Sequence, residues 1–169
     1  MQTESFYIST PIGCLRVSCR QDKVTEIDLG MDYTYPTQLQ LNTSSKSMSS
    51  FACTVKDQLE SYFVNAQSGF DVEVLAEGTA FQQSVWRIIA AIKVGKTLTY
   101  TDVAKKLNSS PRAVGNACRA NPVPIIVPCH RIISMSGIGG FAGQREGNNI
   151  IIKDWLLKHE QLAARAHVA

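Results

Sequence analysis

The chain has no long apolar run. Its longest, Ile88 to Ile92, is five residues, against the roughly 20 that span a bilayer. The opening MQTESFYIST has neither the basic nor the apolar part of a secretory signal. Both absences predict a soluble cytoplasmic protein with no membrane contact. The five cysteines (Cys14, Cys19, Cys53, Cys118, Cys129) are odd in number and show no paired spacing. In a chain without an export signal they read as reduced thiols, not a disulfide framework. Histidine is scarce too: His130, His159 and His167 are the only three, all in the last quarter. A zinc site needs four close ligands, and no histidine lies near Cys14 and Cys19, so no metal is expected.

Acidic residues are scarce in one half only. Residues 1–79 hold 5 Lys+Arg against 10 Asp+Glu, whereas residues 80–169 hold 12 against 4. A net charge of +8 confined to the second half points to a polyanion contacted there. Solvated surface charge scattered by chance would look the same. The 44% hydrophobic content over 169 residues suits one large folded domain or two small ones.

The first thirty residues read as an antiparallel meander. ESFYIST, CLRVSCR and KVTEIDLG are short and β-rich, separated by PIG and QDK turns. Residues 37–50 read as a loop or the approach to a helix. Phe51, Val55, Leu59, Tyr62 and Phe63 then follow helical spacing, and FDVEVLAEG reads as a returning strand through Val72 and Val74. At Gly78–Thr79 the character changes to helices, which predicts two domains, 1–77 and 78–169, of an α+β protein. Phe81, Val85, Trp86, Ile88, Ile89 and Ile92 form one apolar helix face, ended by Gly95. TYTDVAKKLN follows as a short helix with Thr99 or Thr101 as its cap. After the turn NSS, Pro111 suits the first position of PRAVGNACRAN.

Two short helices joined by a tight turn form a helix-turn-helix pattern, and with the charge of this half DNA is the expected partner. The second helix reads Ala113, Val114, Gly115, Asn116, Ala117 between Arg112 and Arg119. Small residues let a helix lie close to a nucleic-acid surface while arginines reach phosphates or the base stack. Close helix–helix packing inside the protein would use the same residues. Gly115 in mid-helix costs about 1 kcal/mol relative to Ala, so some close contact must justify it either way.

Three of the six prolines (Pro122, Pro124, Pro128) stiffen the run NPVPIIVPCHRII just before Cys129. A thiol with a pKa near 8.5 is mostly protonated at neutral pH and needs a base to become a nucleophile. His130 follows directly, but neighbours on an extended strand face opposite sides, so it would act at a strand end or through a water. Glu160 in the final helix, DWLLKHEQL, is a candidate orienting carboxylate for a relay of the triad type. Asn121 before Pro122 can fix the turn through its neighbouring backbone. On spacing alone, an inert buried cysteine remains open beside the nucleophile.

Taken together, VPCHRII preceded by RAVGNACRANP and followed by GGFAG and WLLKHE closely resembles the O6-alkylguanine-DNA alkyltransferase family. GTAFQQSVWRIIAAIKVGKTLTYTDVAKKL also resembles that family's lead-in, so the likeness runs from Gly78 to Glu160. Residues 1–77 resemble its variable N-terminal domain in pattern only. The resemblance implies a small ribonuclease-H-like sheet-and-helix domain, then a mostly helical domain carrying the helix-turn-helix. It further implies irreversible, single-turnover transfer of an alkyl group from O6-alkylguanine, and from O4-alkylthymine, in double-stranded DNA to Cys129.

By the same resemblance, His130 is the base acting through a water, Glu160 its carboxylate and Asn121 the hinge of the active-site turn. Tyr100 crowds the phosphate and protonates the leaving guanine. Arg112 enters the duplex in place of the flipped nucleotide. Ala113, Gly115, Ala117 and Arg119 complete a minor-groove face, and Phe141, Ala142 and Gly143 wall the alkyl-base pocket. Phe141 stands where the family commonly has tyrosine, and the segment Gln144 to Lys153 is longer than usual. No cofactor is expected, and a monomer is, with cooperativity on DNA left open. A non-catalytic helix-turn-helix module with a structural cysteine, and a cysteine hydrolase that turns over, are the competing readings.

Overall fold

The computed structural model describes residues 3–29, 48–144 and 146–166. The chain forms two compact units, Met1–Ala76 and Glu77–Ala169. Most of the segment read as a loop over 37–50 lies outside the described residues; its end, Ser49, caps a helix.

In the first unit, β1 (Glu4–Thr10), β2 (Gly13–Cys19) and β3 (Val24–Asp28) form an antiparallel meander. Its register pairs Phe6 with Val17, Ile8 with Leu15 and Val17 with Ile27, which puts these side chains on the buried face. The turn after β2 holds Gln21 and Asp22 at φ 54° and 53° and is closed by two hydrogen bonds between Arg20 and Lys23. Consecutive positive φ values match the twist of the flanking strands. Helix α1 (Ser50–Val64) starts at Ser49, whose hydroxyl accepts the Ala52 N–H. It packs on β1 and buries Ala52, Val55, Leu59 and Tyr62, a stripe at helical spacing.

The strand expected through Val72 and Val74 is not built. Only a single parallel bridge forms, Val24 with Val74, made by Val24 N–H to Glu73 O and Leu75 N–H to Val24 O. One rung at the start of β3 satisfies four backbone groups without extending the sheet.

In the second unit, α2 (Ala80–Ala90) begins with a capping box, Thr79 and Gln82 each bonding the other's backbone N–H. It ends at Ala90, with Ala91 as its C-cap, so Gly95 is not its stop. Gly95 instead sits at φ 72° where a Cβ would lie 2.6 Å from the Ala164 Cβ. Glycine is needed there for close approach of the last helix. Helix α3 (Tyr100–Lys106) is capped by Thr99 with Asp102, and α4 (Pro111–Arg119) by Ser110 with Pro111 at its first position. They pack together as the helix-turn-helix, with α2 against α4. The Trp86 indole N–H donates to Ala117 O at 2.9 Å.

Two-residue strands β4 (Leu98–Thr99) and β5 (Ile132–Ile133) pair in parallel. They join the entry of α3 to the segment that follows Cys129. Helix α5 (Asn148–Ala166) buries Asn149, Ile152, Lys153, Leu156 and Glu160, while Ile151 and Leu162 are exposed. Half of the segment Gln144 to Lys153 is therefore the first turns of α5. No helix of the described residues is long and apolar enough to cross a membrane.

Candidate active site

Cys129 opens a short 3-10 turn, Cys129–Arg131, so His130 is not across a strand from it. The chain reaches this turn through an arch in which Ile125 adopts φ 76° and is fully buried. A β-branched residue there is strained by about 1–3 kcal/mol and persists only where its surroundings enforce it. Asn121 supplies part of that enforcement. Its amide donates to Val127 O at 2.8 Å and its carbonyl oxygen accepts the Val123 N–H at 3.1 Å. Val127 O also accepts the Cys129 N–H at 2.8 Å.

His130 and Arg131 converge on Glu160, and all three are buried. The Glu160 carboxylate meets His130 Nε2 at 2.7 Å and takes two bonds from Arg131, Nε and Nη2, each 2.9 Å. Arg131 Nη1 also donates to Ile92 O. Burial alone would raise the Glu160 carboxyl; hydrogen bonds and charge from His130 and Arg131 outweigh it and hold the group far below its ordinary value. Burial pushes the His130 pKa down against the pull of Glu160, so the imidazole is neutral. A carboxylate only accepts, hence Nε2 carries the proton and Nδ1 presents its lone pair. Nδ1 is buried without a hydrogen-bond partner among the described residues, which leaves it available as a base.

Burial raises the Cys129 thiol, opposed by a hydrogen bond from Asn121, by the Lys153 ammonium and by the N–H groups of Cys129 and His130. The thiol therefore rests protonated in a setting built to receive its anion. Cys129 lies in a cleft of about 1000 Å³. One wall is helix-turn-helix, from Tyr100 to Arg112, Gly115, Asn116 and Arg119; the other is the loop Ser134 to Gln144. Tyr100 donates to Gly140 O at 3.1 Å across the two. Ala142 and Gly143, at φ 46° and 82°, form a tight turn closed by Phe141 and Gln144. Phe141 is buried beneath it.

The structure thus brings Cys129, His130, Glu160, Asn121 and Tyr100 together, with Phe141, Ala142 and Gly143 in the wall. Arg112 and Arg119 are exposed at the cleft. Arg119 does more than present charge: its stem lies where a Gly143 Cβ would come within 2.9–3.2 Å, so it also buttresses the wall. Ala117 is a correction. Expected on the nucleic-acid face, it is 1% exposed and its carbonyl caps Trp86, because it falls on the side of α4 that packs against α2. Gly115 stays on the cleft side, where a Cβ would meet only Tyr100 Cε1 at an ordinary 3.9 Å. No contact among the described residues requires that glycine.

Sequence reasoning passed over Arg131 and Lys153. Arg131 sits in the quoted HRII and was a readable candidate once Glu160 was named. Lys153 was hidden, because the run NNIIIKDW suggests that α5 buries its isoleucines.

A buried cysteine followed in the chain by a histidine bonded to a buried carboxylate, in a cleft walled by a helix-turn-helix, marks the class of DNA-binding proteins with a cysteine at the cleft. Residues 80–162 match the family described as 6-O-methylguanine DNA methyltransferase, DNA binding domain. The chain is 34% identical to the constitutive methylated-DNA–protein-cysteine methyltransferase of Bacillus subtilis, over 91% of this chain and 93% of that protein. It is 43% identical to the methylated-DNA–protein-cysteine methyltransferase of Methanosarcina mazei, over 63% of this chain and 66% of that one. The crystal structure of Mycobacterium tuberculosis O6-methylguanine methyltransferase superposes with a TM-score of 0.76 at 32% identity, covering 96% of this chain and 94% of that one. Mycobacterium tuberculosis OGT in complex with DNA gives 0.71 at 31% identity, covering 94% and 93%. The chain belongs to the methylated-DNA–protein-cysteine methyltransferase family.

Proposed function

We propose that this protein repairs double-stranded DNA by moving the alkyl group of O6-alkylguanine, and of O4-alkylthymine, to Cys129 in a single turnover. The observation that carries the reading is the position of Cys129 at the floor of the cleft, beside a neutral His130 whose free Nδ1 can take a proton. An alkylated base is hidden by stacking, and extruding it costs roughly a few kcal/mol, least for a weakened pair. Arg112, exposed at the start of α4, fills the space the nucleotide leaves. Ala113 and Gly115 let the helix approach the minor groove, and Arg119 adds charge beside it.

His130 Nδ1 removes the Cys129 proton through a bridging water, and the Glu160 carboxylate, held in place by Arg131, stabilises the imidazolium so formed. The thiolate forms a C–S bond as the C–O bond breaks, and the departing guanine takes its proton from the Tyr100 hydroxyl. The arch at Ile125 and the Asn121 clamp keep Sγ in line with the carbon. A thioether is no leaving group for water, so the protein is consumed.

Incubation with an oligonucleotide carrying O6-methylguanine, followed by mass measurement of the Cys129 peptide, tests the reading. One methyl retained on Cys129 is expected. An unchanged peptide with DNA still bound would indicate a binding module, and a thiol that turns over would indicate a hydrolase.

A further inference from the structure

The nucleophile machinery accounts for Cys129, His130, Glu160 and Arg131 but not for a fifth buried ionisable side chain. Lys153 is 0% exposed, which is rare for lysine without a paired carboxylate. Its Nζ donates to Ile132 O and, at 2.9 Å, to Gly140 O. Ile132 is the residue that leads out of the nucleophile turn into β5. Gly140 belongs to the cleft wall, and its carbonyl also accepts the Tyr100 hydroxyl. The ammonium lies 5.9 Å from the centre of the Tyr100 ring. One buried cation therefore fastens the wall to the turn that presents the thiol. Among the described residues no carboxylate bonds it, so its charge is left to act on the two cysteines of the cleft, Cys129 and Cys118.

We propose that Lys153 is a positioning residue for alkyl transfer: it ties the glycine loop of the cleft to the segment after Cys129, and its charge favours the Cys129 thiolate. The proposal rests on Cys129 being the acceptor. The other charged or titratable groups about the thiol are His130 and Arg131, both held by Glu160, Cys118 and Tyr100, and the exposed, solvated Arg112 and Arg119 of the cleft. Burial pushes Lys153 down to about 8 and the Cys118 thiol up to about 12. At neutral pH the lysine is thus a cation and Cys118 a neutral thiol, so Lys153 is the group able to balance a charge on Cys129.

The test uses Lys153→Met and Lys153→Arg in the full chain. Carboxamidomethylation of Cys129 by iodoacetamide is followed against pH by peptide mass, alongside transfer from alkylated duplex. For Lys153→Met the midpoint of the thiol profile should rise by about one pH unit, with a rate loss near neutrality of about tenfold. Lys153→Arg should stay close to the wild-type midpoint. A folded Lys153→Met protein with an unmoved midpoint would overturn the proposal, even if transfer were slow, because a purely structural wall would not move it. Should Lys153→Met fail to fold, the 15N titration of Lys153 Nζ in the wild type and in Cys129→Ser decides. A lower midpoint in Cys129→Ser supports the coupling, and equal midpoints remove it. A normal iodoacetamide profile without any transfer from DNA would count against the proposed function and leave the role of Lys153 standing.

Discussion

Replacing Glu160 by Gln keeps the shape of the side chain and removes its charge. In the wild type that carboxylate receives two bonds from Arg131 and one from His130, with Glu160 1% exposed. The variant leaves the Arg131 guanidinium, 7% exposed, without its counter-charge. Breaking a buried pair from one side costs about 3–5 kcal/mol. At roughly 2–4 °C per kcal/mol for a chain of this size, Tm should fall by about 6–20 °C. The amide NH2 also opposes the His130 Nε2–H, so the imidazole loses the tautomer that frees Nδ1, and alkyl transfer should slow steeply. The double variant Arg131→Met/Glu160→Gln has no orphan charge and should recover most of the stability but none of the activity. Calorimetry and the Cys129 peptide assay read the two effects separately. A Glu160→Gln protein melting within about 2 °C of wild type, or a double variant no more stable than the single, would refute the view that Arg131 and Glu160 are mutually dependent.

Gly115→Ala should raise stability by up to about 1 kcal/mol, since the added methyl meets only Tyr100 at 3.9 Å. The same variant should bind alkylated duplex more weakly; unimpaired binding would show that α4 does not lie against DNA at Gly115. Arg112→Ala should slow repair of duplex far more than reaction with free O6-benzylguanine, which needs no flipping, and equal losses would contradict its role in the stack. Acidification should destabilise the protein in two stages. His130 has a depressed folded pKa, so the unfolded chain binds its proton first and stability falls below about pH 6.5. Glu160 is depressed too; its contribution is complete above the unfolded value of about 4.3 and is lost as pH falls below that. Thermal melts from pH 8 down to about pH 2 check both stages, and His130→Gln should flatten the first.

Cys129 was legible as the candidate acceptor because proline rigidity, a following histidine and the flanking motifs agree on it. The helix-turn-helix was legible for a local reason: Thr99, Ser110 and Pro111 are start signals whose physics involves only their own turns. What could not be read depends on partners distant in sequence. Ala117 looks like Ala113 in a helix of small residues, and only the placement of Trp86 turns it inward. Lys153 lies among isoleucines that periodicity would bury, yet α5 turns Asn149, Lys153 and Glu160 toward the interior. The site's need for charge there overrides the apolar stripe. Val72 and Val74 have strand composition, but a strand requires a free edge of matching length, and the fold offers one rung.

The β4–β5 pairing carries a consequence for how the protein is made. Leu98 pairs with Ile132 across the whole helix-turn-helix, a long-range contact that loop-closure entropy delays relative to the short-range helices it encloses. Lys153 and Glu160, proposed above to act on the thiol and on His130, come later still, on α5. During synthesis Cys129 therefore emerges before its cation and before the carboxylate that fixes His130. Until α5 docks, the burial that raises the thiol's pKa in the folded chain is incomplete, so the nascent cysteine is more exposed to stray electrophiles than the finished one. Iodoacetamide labelling of Cys129 in ribosome-stalled chains ending before and after α5 would show it, with slower labelling of the shorter chain near neutral pH as the contrary result.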